Sequence, residues 1–98
     1  IPLLPATMEL VSNNFDEQAR QAFANLAAVA HAAQGSLNHL VKLTIYLTDL
    51  GNFQAVNQLM AELFEEPFPA RAAVEVSALP RGAAIEVEAI MAVAPPTQ

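Results

Sequence analysis

The sequence predicts one small α+β domain. In two stretches the apolar residues recur every three or four positions, and in three others they recur every second position, in the order helix, strand, helix, strand, strand. Prolines and turn residues fall between these stretches rather than inside them. A chain of 98 residues with 54% hydrophobic residues fits a single domain with a core of its own.

The first helix starts where Asn14 and Glu17 form an N-cap and N3 pair, which satisfies the free N–H groups of a first turn. Phe15, Ala19, Ala22, Phe23, Leu26, Val29, Ala30 and Ala33 then form one apolar stripe, with Gly35 expected to supply the stop. Over residues 40–48 the period changes to two. Val41, Leu43, Ile45 and Leu47 make the buried side, and Lys42, Thr44, Tyr46 and Thr48 the other. Asn52 is positioned to cap a second helix, whose stripe is Phe53, Val56, Met60, Leu63 and Phe64. Pro67 and Pro69 forbid its continuation, so it ends near Glu65. Residues 70–76 and 83–93 read as strands on either side of the turn signal Leu79-Pro80-Arg81-Gly82. The tail from Ala94 to Gln98 is expected to fray.

Two helices most simply cover one face of the sheet. On strict alternation, Ala72, Val74, Val76, Ile85, Val87, Ala89 and Met91 turn toward them, leaving Arg71, Ala73, Glu75, Glu86, Glu88 and Ile90 opposite. A face mixing charge with alanine and isoleucine suits packing between subunits, with pockets at the seams. The low charged fraction of 14% points the same way.

Composition excludes several classes of function. No run of about 18 apolar residues offers a membrane span, and Ile1 to Leu4 lacks the flanks of a secretory signal. The absence of cysteine excludes disulfides, thiolate nucleophiles and thiolate metal sites, and suits a cytoplasmic protein. A formal charge of -6, with Arg20, Lys42, Arg71 and Arg81 the only basic side chains besides histidine, disfavours nucleic acid. His31 and His39 lack a second ligand at metal spacing and read as surface or packing residues. Gly35, Gly51 and Gly82 are too scattered for a phosphate loop.

Three segments are more specific: Phe68-Pro69-Ala70-Arg71-Ala72-Ala73-Val74-Glu75-Val76, then Leu79-Pro80-Arg81-Gly82, then Ile85-Glu86-Val87-Glu88-Ala89-Ile90. With Phe53-Gln54-Ala55-Val56-Asn57 before them, they resemble, in order, the motifs of the RidA (YjgF) family of 2-imino and 2-enamino acid deaminases. The resemblance covers nearly all the chain from Phe15 onward. It implies a chorismate-mutase-like mixed sheet with two helices packed on one face, assembled as a homotrimer with three ligand clefts between neighbouring subunits. It also implies that the last strand lies beside the first, whereas local reading alone would pair the last two as a hairpin. By analogy the family carries roughly thirty further residues before the position of Ile1, with a Tyr-Ser and a Ser-Gly-Gln segment near the ligand. Residues 1–98 thus read as a single RidA-like domain lacking those N-terminal strands.

The resemblance implies the chemistry as well. Arg71 matches the arginine that holds the substrate carboxylate, a task suited to a planar guanidinium that donates two parallel hydrogen bonds. Glu86 matches the glutamate that activates or orients the hydrolytic water. Asn57 matches a cleft residue on the substrate-binding side, and Ala73 stands where some members have cysteine. From the residues alone, Arg71 pairing with Glu75, Glu86 or Glu88, and Glu86 as an interface carboxylate, stay open. So does Asn57 as a local helix-start hydrogen bonder. Glu88 points to the same face as Glu86. The expected activity is hydrolytic deamination of 2-imino and 2-enamino acids, such as 2-aminoacrylate, to 2-keto acids and ammonia, with no cofactor or metal. The alternative is a non-catalytic, regulatory carboxylate-binding protein of the same fold, with a ribonuclease or translation-inhibitor role disfavoured by the acidity.

Overall fold

The computed structural model describes residues 1–92. Helix α1, Phe15–Ala32, begins as its sequence requires: the Glu17 N–H donates to Asn14 Oδ1 at 2.9 Å. Asp16 and Glu17 place negative charge at the positive end of the helix dipole. At the other end the Gln34 N–H donates to His31 O at 2.9 Å and the Gly35 N–H to Ala30 O at 2.8 Å, satisfying carbonyls of the last turn. The left-handed residue of this cap is Gln34, with φ 66°, and not Gly35. At Gly35 the feature is close packing instead: a Cβ there would lie 2.8 Å from Met91 Sδ, and the flexible Met91 side chain would have to shift.

Strand β1, Leu40–Leu47, is central. Strand β2, Ala70–Glu75, pairs parallel to it on one side, and β3, Ile85–Met91, antiparallel on the other. Helix α2, Phe53–Leu63, lies in the crossover that a parallel pair needs. The last strand therefore lies beside the first, as the family resemblance implies and the local hairpin reading does not. A register shift between Leu40 and Lys42 breaks the alternation of β1. Leu40, 6% exposed, enters the core, while Val41, expected inside, is 49% exposed.

The start of α2 also differs from expectation. Asn52 makes no side-chain cap; Asp49 caps the preceding turn by accepting from the Gly51 N–H at 2.8 Å. Val56, Leu59 and Met60 are buried along α2, and Phe64 follows it into the core. Leu63, read as part of the stripe, lies exposed along the groove between the helices. Phe23, Leu43, Ile45, Leu47, Val56 and Ile85 are the largest fully buried side chains in the body of the domain, and Phe23 meets Phe64 edge to face at 6.0 Å. Gln18, 3% exposed, ties three segments together. Its Oε1 accepts from the Ala84 N–H at 2.8 Å and its Nε2 donates to Ser12 O at 2.9 Å.

The largest correction concerns β2. Its register sets Arg71 opposite Leu43, Ala73 opposite Ile45 and Glu75 opposite Leu47, all on the face toward the helices. Ala70, Ala72 and Val74 pair with Lys42, Thr44 and Tyr46 and share the helix-free face with Glu86, Glu88 and Ile90 of β3. The expected placement of β3 holds, and that of β2 is inverted. Val93 and the tail from Ala94 to Gln98 lie outside the described residues.

Two substitutions test the cap of α1. Gln34→Gly removes a left-handed non-glycine residue and is expected to raise unfolding free energy by about 0.5 to 1 kcal/mol, the strain relieved less the added chain entropy. Gly35→Ala is expected to change it less, since the flexible end of Met91 can shift to admit the Cβ. Urea unfolding of both variants reads the two changes.

Candidate functional site

The inverted register determines where the charged groups lie. Arg71 is the second residue of edge strand β2 and lies on the face covered by α2. Its Nη1 donates to Met60 Sδ at 3.5 Å, and its guanidinium carbon lies 5.6 Å from the centroid of the Phe53 ring. A cavity of about 270 Å³ opens beside it, lined by Asn57, Met60, Ala61, Phe68, Pro69 and Arg71. Phe53, Asn57 and Met60 are four and three positions apart, so one face of α2 supplies the ring, the amide and the sulfur.

One polar atom in this cavity is unsatisfied, and the exposed guanidinium beside it has no counter-charge. Among the described residues the buried Asn57 Oδ1 has no hydrogen-bond partner, a state that costs about 1 to 3 kcal/mol. Among the described residues no carboxylate lies within 4.0 Å of the Arg71 guanidinium. The three candidate partners are elsewhere. Glu75 accepts from the Leu50 N–H at 2.8 Å, Glu88 accepts from the Tyr46 hydroxyl at 3.0 Å, and Glu86 Oε1 lies 3.9 Å from the Ile1 nitrogen. A lone cation with a free amide in an otherwise apolar cavity can take a small carboxylate through paired, charge-assisted hydrogen bonds.

Glu86 does not join this cavity. It stands opposite Tyr46 in the β1–β3 ladder, on the helix-free face, with its side chain 38% exposed. Lys42, Thr44, Glu88 and Ile90 share that face and line a shallow depression along it. Of the expected site residues, the fold brings Arg71 and Asn57 together and sets Glu86 on the other side of the sheet. Phe53, Met60 and Phe68 were read from sequence as core or motif residues only. The helical spacing of Phe53 and Met60 about Asn57 is the signal that links them to the site. His31 is exposed, and His39 Nδ1 accepts from the Ser36 N–H at 2.9 Å. No helix among the described residues is long and apolar enough to cross a membrane.

These features define a small α+β domain, two helices over a three-stranded mixed sheet, with a guanidinium in an apolar cavity where α2 meets β2. The family profile described as endoribonuclease L-PSP matches residues 1–93. The chain belongs to that family, also called YjgF/RidA.

Among its relatives, the RutC family protein y4sK of Sinorhizobium fredii is 48% identical over 91 residues, which cover 93% of this chain and 72% of that protein. The goat (Capra hircus) protein named 2-iminobutanoate/2-iminopropanoate deaminase is 41% identical over 93 residues, covering 95% of this chain and 68% of its own. Among solved structures, RidA from an Antarctic Psychrobacter species superposes with a TM-score of 0.90 at 46% identity, covering 94% of this chain and 74% of that one. Escherichia coli TdcF with bound serine superposes with a TM-score of 0.84 at 33% identity, covering 96% of this chain and 76% of that one.

The Tyr46–Glu88 contact yields a direct test of the helix-free face. The hydrogen bond to Glu88 is the main cause holding the Tyr46 phenol above its ordinary value of 10.0, with desolvation adding to it. The stabilisation this contact gives is present in full below the ordinary value and is lost as pH rises through the raised one. The chain has one tyrosine and no tryptophan, so phenolate absorbance reports this residue alone. Glu88→Ala is expected to move the titration midpoint down toward the ordinary value; an unchanged midpoint removes the contact from the account.

Proposed function

We propose that this chain is a cofactor-independent deaminase of small 2-imino and 2-enamino acids such as 2-aminoacrylate, acting in the cytoplasm as a homotrimer. The observation that carries the reading is the uncompensated Arg71 guanidinium, held beside the unpartnered Asn57 amide in an apolar cavity. Arg71 anchors the substrate carboxylate, and Asn57 hydrogen-bonds the atoms next to it. The name of the goat relative and the serine bound to TdcF support a small ligand bearing a carboxylate.

Glu86 is the base. An enamine such as 2-aminoacrylate first takes a proton at C3 and becomes the iminium. Water then adds to C2 as Glu86 accepts one of its protons, giving a carbinolamine; Glu86 returns that proton to nitrogen, the C–N bond breaks as the hydroxyl proton is lost to solvent, and ammonia leaves a 2-keto acid. Arg71 and Glu86 occupy opposite faces of one sheet, so a site that uses both takes them from two subunits. The helix-free face suits that assembly. Val74 and Ile90 are 43% and 59% exposed on it, with Ala70 and Ala72 between charged neighbours.

The cavity holding Arg71 and Asn57 forms within a single chain without Glu86, and this favours one second reading, a carboxylate-binding regulator that does not turn its ligand over. One pair of variants separates the two. Arg71→Ala is expected to weaken 2-oxobutanoate binding by about 1.5 to 3 kcal/mol, the weight of a charge-assisted hydrogen bond, measured by calorimetry. Glu86→Gln is expected to keep that affinity and slow turnover of 2-aminoacrylate made in situ by a dehydratase. When the two inactive variants are unfolded and reassembled together in equal amounts, about a quarter of the sites regain both wild-type residues if they come from adjacent subunits. Full activity in Glu86→Gln removes Glu86 as the base, whereas keto-acid binding by the wild-type trimer with no turnover supports the regulator. No recovery in mass-verified mixed trimers rules out the shared site.

A further inference from the structure

An arginine that waits for a ligand meets two opposing requirements. Its flexible stem has to be fixed for a carboxylate to meet two N–H groups at once, yet the usual means of fixing it, a carboxylate of the protein, cancels the charge the ligand needs. Arg20 shows the usual solution. Its guanidinium is held by Asp16 at 2.9 Å and Glu62 at 3.2 Å, two exposed ion pairs that occupy its Nε and Nη1.

Arg71 is held differently. The Phe53 ring lies under its guanidinium at 5.6 Å, and Met60 Sδ accepts from Nη1 at 3.5 Å. A ring face attracts a cation through its quadrupole without accepting a proton or neutralising the charge. A thioether sulfur is a weak acceptor and engages a single donor. Neither contact occupies Nε or Nη2, and among the described residues no other acceptor does. The edge of the guanidinium that offers two parallel N–H groups is therefore free. Both contacts come from the same face of α2 as Asn57, so one helix sets the guanidinium and the amide in a fixed relation.

We infer that Phe53 and Met60 are positioning residues, which fix Arg71 with neutral contacts so that its full charge and its Nε–Nη2 edge remain available to the ligand. The inference rests on the reading of Arg71 as the carboxylate anchor and adds how that anchor is prepared. Val56 and Leu59 fill the core from this part of α2, while Phe53 is only part-buried, so the ring is available for this second task.

The test uses the assembled protein, 2-oxobutanoate as probe, and the variants Phe53→Leu, Phe53→Tyr, Met60→Leu and Arg71→Ala. Phe53→Leu is expected to weaken binding about three- to tenfold, and Phe53→Tyr, which keeps the ring face, to stay near the wild-type value. Met60→Leu, which keeps the volume but not the acceptor, is expected to weaken it on the order of twofold. The Arg71 Nε–H proton resonance is expected to be shifted by the ring current in the wild type and in Phe53→Tyr, and to return toward its free position in Phe53→Leu. A purely structural phenylalanine would leave that resonance and the Leu–Tyr difference unmoved. If Arg71→Ala weakens binding while Phe53→Leu changes neither affinity nor resonance, the positioning role is wrong and the anchor stands. If Arg71→Ala leaves affinity unchanged, both are wrong.

Discussion

The parallel pairing of β1 with β2 is the constraint on which the chemistry of this chain depends. Leu43, Ile45 and Leu47 are fully buried against the helices, so the ladder carries Arg71, Ala73 and Glu75 to the same face. A slip of one residue would send Arg71 to the helix-free face and bury Ala72 and Val74 in its place. The hydrophobic demand of the central strand thus fixes the position of a cation on an edge strand that is itself mostly exposed. It also gives Glu75 its task, since from that face the carboxylate reaches the Leu50 N–H and holds the turn that opens α2.

The same register separates the charges by use. Tyr46 and Glu88 satisfy each other on the helix-free face, and Asp16 and Glu62 engage Arg20 across the two helices. Exposed pairs of that kind contribute little to stability, because water screens them. Their greater effect here is on position, because the cavity between α2 and β2 keeps a positive charge with, among the described residues, no carboxylate within 4.0 Å of it. Met60, Ala61, Phe68 and Pro69 give that open cavity its apolar walls, with Arg71 exposed at its side.

Much of this was legible from the residues. The cap at Asn14 and the alternation of residues 43–47 and 85–91 each rest on one strong local signal, and each is found; the stripe of α1 holds at Phe15, Ala19, Ala22, Phe23, Leu26 and Ala30, while Val29, 67% exposed, and Ala33, the exposed C-cap, fall outside it. The faces of β2 were not legible, because Ala70, Ala72 and Ala73 occupy both sides of the strand and alanine does not mark a core face. The bulge that turns Val41 outward and Leu40 inward is set by pairing with β3, which lies far away in sequence. Gln34 takes the left-handed position although glycine follows it, so the glycine marks the end of the helix without taking its special backbone conformation. The site was legible only in part. The motif resemblance picked out Arg71, Asn57 and Glu86, but the separation of Glu86 from the other two is a property of the ladder and not of any short segment.

The central claim is that the free edge of Arg71, in the cavity between α2 and β2, is where this protein takes a small carboxylate. A crystal structure of the assembled protein with 2-oxobutanoate tests it most directly. The expected result is the ligand carboxylate on Nε and Nη2 of Arg71, the Asn57 amide within hydrogen-bond distance of the ligand, and the guanidinium still over Phe53. A ligand seated on the helix-free face against Lys42 or Glu88, with Arg71 untouched, would contradict the account.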